Sequence, residues 1–71
     1  MIGIFRTNIN SFQEKNSVID AISASFNVHN CSIDIEDCDK VLRVVANQLP
    51  IAESAIINFV QQLGYQCDVM E

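Results

Sequence analysis

Two apolar rhythms alternate along the chain. Ile2-Gly3-Ile4-Phe5-Arg6-Thr7-Asn8 is rich in β-formers, and a period of two sets Ile2 and Ile4 on one side with Phe5 and Thr7 on the other. From Phe12 onward Val18, Ile19, Ile22 and Phe26 recur at helical spacing, leaving Gln13, Lys15, Asn16 and Asp20 for solvent. Cys31, Ile33 and Ile35 then alternate with Ser32 and Asp34, as in a half-buried second strand. Val41-Leu42-Arg43-Val44-Val45-Ala46 is apolar on both parities except at Arg43, which suits an inner strand. Ile56, Phe59, Val60 and Leu63 form a second helical stripe, and Tyr65-Gln66-Cys67-Asp68-Val69 returns as a fourth strand.

Local punctuation marks the joints. Ser11-Phe12-Gln13-Glu14 fits a capping box, in which the hydroxyl accepts from the Glu14 amide and the Glu14 carboxylate reaches back. Asn27 is expected to end the first helix in a left-handed cap. Glu36-Asp37-Cys38-Asp39-Lys40 reads as a hairpin turn, Pro50 suits the first turn of the second helix, and Gly64 suits its C-terminal cap.

The segment order is βαββαβ. Right-handed crossovers leave few topologies for it, and the expected one is an α+β, ferredoxin-like sandwich: a four-stranded antiparallel sheet in the order 4-1-3-2 with both helices on one face, formed by residues 1–71 as one domain. Parity assigns Ile2, Ile4, Cys31, Ile33, Ile35, Leu42, Val44, Cys67 and Val69 to the helix-facing side. The open side is then expected to carry Gly3, Phe5, Thr7, Val41, Arg43 and Val45, flanked by Ser32, Asp34, Gln66, Asp68 and Met70. Phe5, Val41, Val45 and Met70 around Arg43 resemble a contact face for a protein partner or for a second copy of the chain.

Charge narrows the partners. The 71 residues hold four basic and nine acidic side chains, a net −5, and Arg6, Lys15, Lys40 and Arg43 fall in four different segments. Phosphate backbones and anionic membrane surfaces are therefore repelled, and neither nucleic acid nor membrane is expected as a partner. No apolar run approaches the roughly 20 residues that span a bilayer. Cys31, Cys38 and Cys67 make an odd set, and Met1-Ile2-Gly3-Ile4-Phe5 does not read as a secretory leader, so a reducing cytoplasm is the expected location.

Leu63-Gly64-Tyr65-Gln66-Cys67-Asp68-Val69, together with the order and spacing of the six segments, resembles the heavy-metal-associated domain family: small copper and zinc chaperones and the N-terminal modules of metal-pumping ATPases. The resemblance spans nearly the whole chain and implies the same fold. It also implies a buried role for Ile9, in the place of that family's loop methionine. The family's metal ligands are a Cys-x-x-Cys pair in the loop after the first strand, where two thiolates hold a soft cation beside a helix N-terminus. Here that loop reads Thr7-Asn8-Ile9-Asn10-Ser11, whose hydroxyl and amide oxygens do not replace two thiolates.

His29, Cys31 and Cys38 are the remaining candidate ligands, with His29 and Cys31 on one side of the second strand. Cys38 in the hairpin turn is roughly 20 Å along the strand from Cys31, and Cys67 is roughly 14 Å across the sheet, so no three converge within one chain. Asp34, Glu36, Asp37 and Asp39 lack the glycine and the twelfth-position Glu of a calcium loop. No thiol is paired with a base, so no catalytic residue and no cofactor are assigned. Three functions of different class fit: a non-enzymatic protein-interaction or regulatory module that has lost the metal site, a copper or zinc carrier with non-standard ligands, and a dimeric small-ligand sensor. In the last, Thr7, Asn8, Asn10 and Ser11 would receive an anion at a helix N-terminus.

Overall fold

A computed structural model describes residues 2–70; Met1 and Glu71, the ends of the expected domain, lie outside them. Six elements follow one another: β1 (Ile2–Thr7), α1 (Phe12–Ser25), β2 (Val28–Asp34), β3 (Val41–Ala46), α2 (Glu53–Gln62) and β4 (Cys67–Val69). The four strands form one antiparallel sheet in the order β2-β3-β1-β4, which is 4-1-3-2 counted from the β4 edge. Because β1 and β2 both run antiparallel to β3, the helix between them crosses over an intervening strand, and α2 does the same between β3 and β4. None of the described helices is long and apolar enough to cross a membrane.

The helix ends follow from the local sequence. Ser11 caps α1, its Oγ accepting from the Glu14 amide at 3.1 Å, while the Glu14 carboxylate accepts from the Asn10 amide at 3.3 Å. At the far end Phe26, not Asn27, is the cap, and it is extended at φ −131°. Asn27 does not turn left-handed, because the chain leaves α1 directly into β2 and the Asn27 side chain accepts from Asn47 Nδ2 instead. Pro50 lies before α2, not in its first turn, and the cap there is Ala52 without a side-chain hydrogen bond. The other end of α2 closes with Gly64 at φ +104°, where the Gly64 amide donates to Gln61 O and the Tyr65 amide to Val60 O, the paired bonds of a Schellman turn.

Phe5, Ile9, Val18, Ile22, Ile33, Leu42, Val44, Ile56, Val60 and Cys67 form one buried cluster between the sheet and both helices. Phe26 and Phe59 meet edge to face at 5.3 Å between ring centres and join the end of α1 to α2. The sheet side of this core corrects the expected parity of β1. Phe5 stands opposite Leu42 and Gly3 opposite Val44, whereas Ile4 stands opposite Arg43 and Ile2 opposite Val45. Residues directly opposite share a face, so once Leu42, Val44 and Ala46 point at the helices, Gly3, Phe5 and Thr7 must do the same. Phe5 is therefore a core residue at 0% exposure, and Ile2 and Ile4 belong to the open side.

Candidate functional site

The loop after β1 is occupied with its own architecture. Thr7 is buried; its hydroxyl donates to the Lys40 carbonyl and accepts from the amide of Ile9, a residue with no exposed surface. Its backbone amide donates to Asp39 O at 3.1 Å, so the start of the loop is clipped to the β2–β3 hairpin. Asn8 Oδ1 accepts from the Gln66 amide at 2.9 Å, which ties the loop to the start of β4. Ser11 and the Asn10 amide complete the cap of α1. Of the four residues expected to receive an anion, Thr7, Asn8 and Ser11 spend their side-chain oxygens on the fold.

The thiols are dispersed. Cys31 faces the helices from the edge strand β2, opposite Val44, and Cys67 is buried on the opposite edge, opposite Thr7. Three strand spacings separate those edges, roughly 14 Å. Burial pushes both thiols up to about 11, and at Cys67 the neighbouring Asp68 carboxylate adds to the shift. Both are protonated at neutral pH and behave as small apolar side chains. The pairing of β2 with β3 slips between Val28 and Asn30, so His29 is the extra residue of a bulge. That slip removes the strict alternation by which His29 and Cys31 would share a side.

Among the described residues, Asp37, Cys38 and Asp39 bring three donor atoms within 4.8 Å of one another in the hairpin turn. Their carboxylates already serve the turn: Asp37 Oδ1 accepts the Asp39 amide at 2.9 Å, and Asp39 Oδ1 lies 3.4 Å from Arg6 Nε. Asp34 Oδ1 likewise accepts the amides of Glu36 and Asp37 and starts the same turn. Lys40, at φ +47°, closes it and donates from Nζ to Ile35 O at 2.7 Å.

The open side of the sheet is different, because no helix covers it. Antiparallel register places Ile2 beside Val45, Ile4 beside Arg43, Val41 beside Asp34, and Arg6 beside Asp68. Met70 joins Ile4, its amide donating to the Ile4 carbonyl at 2.9 Å. Ile4, Val41, Val45 and Met70 are only partly covered, and Ile2 is 62% exposed. Ser32, Asp34, Asp37, Val41 and Arg43 line a shallow depression on this side. Val41, Arg43, Val45 and Met70 thus lie together as expected from parity, while Phe5 drops out and Ile2, Ile4 and Arg6 take its place.

The chain matches no protein-family model, no curated protein and no solved structure.

One sequence signal could have found the correct face. Arg6 shares its parity with Ile2 and Ile4, and a guanidinium pointed under two helices would be buried without a partner, a costly arrangement. Its side chain is instead 57% exposed beside Asp39. The apolar weight of the two isoleucines pointed one way and the single charge pointed the other, and the charge decided.

Proposed function

We infer that the chain is a ferredoxin-like βαββαβ module, similar in fold to heavy-metal-associated domains, that serves as a non-enzymatic protein-interaction or regulatory domain in a reducing compartment. The observation that carries this reading is the row of Ile2, Ile4, Val41, Val45 and Met70 on a sheet side that no helix covers. A solvated sheet face normally alternates toward polar residues, whereas this one keeps apolar side chains at most inner-strand positions. Two further observations support it against the metal-carrier and ligand-sensor readings. Thr7, Asn8 and Ser11 are consumed by structural hydrogen bonds, and the thiols of Cys31 and Cys67 are raised by burial on opposite edges.

The test is a capture experiment from the source cell with the wild-type chain and its Val45→Glu variant as baits. Val45 is half-buried on the open side and outside the core, so the variant should keep the wild-type circular dichroism and lose the captured partner. Equal capture by both baits would overturn the reading. In parallel, titration of the reduced protein with Cu(I) and Zn(II) is expected to give no binding tighter than micromolar; tighter binding lost on replacing Cys38 would restore the metal carrier.

A further inference from the structure

We propose that the sheet edge at β2 takes up an extended peptide strand in which basic and apolar residues alternate. This edge is separate from the open face, so loss of either interaction leaves the other standing. Strand register shows where the edge is free. The Met70 amide donates to the Ile4 carbonyl, so the backbone polar groups of Ile4 are directed at β4. Successive residues of an antiparallel strand direct these groups to opposite sides, so Gly3 and Phe5 bond to Val44 and Leu42 across from them on β3. Val41 and Arg43 are then left to bond Asp34 and Ser32 on β2. Cys31 and Ile33 consequently direct their N–H and C=O groups away from the sheet, because β2 is its outermost strand. Donors and acceptors spaced as in a strand are complemented by another extended backbone.

The side chains beside this edge select what that strand carries. A groove of about 350 Å³ runs between β2 and the first turn of α1, with Phe12, 68% exposed, on one wall and Ile33 and Ile35 on the other. Alternate side chains of an added strand point toward the helices and fill this apolar space, while the rest point to the open side beside Asp34. The groove carries Asp34 and Glu36 against one cation, Lys15, whose ammonium lies 5.7 Å from the centre of the Phe12 ring. In a chain of net −5, this excess of carboxylate favours a basic strand and opposes a second copy, which would bring the same carboxylates to the same edge. Pairing is bounded by the bulge between Val28 and Asn30 at one end and by the turn that Asp34 starts at the other, so the contact is short and the binding weak.

Amide hydrogen exchange followed by NMR reads this edge residue by residue. In the free protein the amides of Cys31 and Ile33 should exchange about tenfold faster than those of Ser32 and Asp34, which are bonded to β3. A peptide alternating lysine with valine should slow Cys31 and Ile33 by about tenfold near saturation and affect Ser32 and Asp34 far less. The same peptide N-methylated throughout keeps its side chains but cannot donate, and should not bind. A glutamate–valine peptide should bind about tenfold more weakly. Phe12→Ala removes the exposed wall and should weaken the lysine–valine peptide about tenfold at unchanged circular dichroism, and Glu36→Lys should weaken that peptide while strengthening the glutamate one. Exchange at Cys31 and Ile33 that is unmoved by millimolar peptide overturns the proposal. Equal binding of the methylated peptide does so by showing that side chains alone make the contact, and equal binding of the glutamate peptide does so by removing the charge selection. Slowing that follows protein concentration without peptide assigns the edge to a second copy and overturns it as well.

Discussion

Replacing Thr7 by Val changes almost no volume and removes one buried hydroxyl where the loop after β1 meets the β2–β3 hairpin. That hydroxyl satisfies the Lys40 carbonyl on one side and the amide of Ile9 on the other, and Ile9 has no exposed surface. Val cannot accept the Ile9 hydrogen bond, and water cannot reach it, so a buried amide is left without a partner at a cost of about 1–3 kcal/mol. Losing the bond to Lys40 O, which is only partly buried, adds about 1 kcal/mol. A core of this size supplies roughly 3–5 kcal/mol in total, so the expected loss of about 2–4 kcal/mol brings the variant close to unfolding. With a urea dependence of about 1 kcal/mol per molar for so small a chain, the midpoint should fall by about 2 M or more. Thr7→Ser keeps the hydroxyl and gives up one methyl group, so it should fall by only about 1 M. If Thr7→Val unfolds at the wild-type midpoint, the hydroxyl is not holding the loop, and its role as a ligand group returns to consideration.

Gly64 offers a test of backbone conformation without packing, because a Cβ there would meet no atom within 4 Å while φ is +104°. Gly64→Ala should therefore cost about 1–2 kcal/mol in urea denaturation, with Gly64→Asn costing less; an alanine variant as stable as wild type would show that α2 does not need its left-handed turn. Alkaline pH tests the two raised thiols. Their folded values of about 11 lie above the unfolded value of 9.0, so the unfolded chain releases these protons first. Stability should be unaffected by them below pH 9 and should decline between pH 9 and 11. Melting temperatures of wild type and Cys67→Ala, each referred to its own value at pH 8, should diverge over that window, the wild type falling more steeply; parallel curves would mean that Cys67 ionises as freely in the fold as outside it.

Much of the architecture is legible in the residues because it is local. Ser11 and Glu14 announce the start of α1, Gly64 announces the end of α2, and the 2 and 3.6 periods separate strands from helices over short stretches. Asn27 and Pro50 misled for a related reason: each suits a helix terminus in isolation, yet the first was taken by a strand entered directly and the second by the loop before α2. The expected shared side of His29 and Cys31 was lost to a long-range effect. Whether His29 shares a side with Cys31 depends on a bulge, and a bulge belongs to the pairing of two strands.

The sequence by itself determined six elements, a small acidic domain, and a first loop without thiolates. Tertiary structure decided which face of β1 is the inside. In one strand Ile2 and Ile4 compete with Phe5 and Thr7, and composition alone favours the isoleucines. Pairing with β3 settles it, since Phe5 lies across from Leu42, and a shift of one residue would turn every side chain of the strand over. That choice buries Phe5, brings the Thr7 hydroxyl to Ile9 and Lys40, and sets Ile2 beside Val45 and Ile4 beside Arg43 on the sheet side that no helix covers.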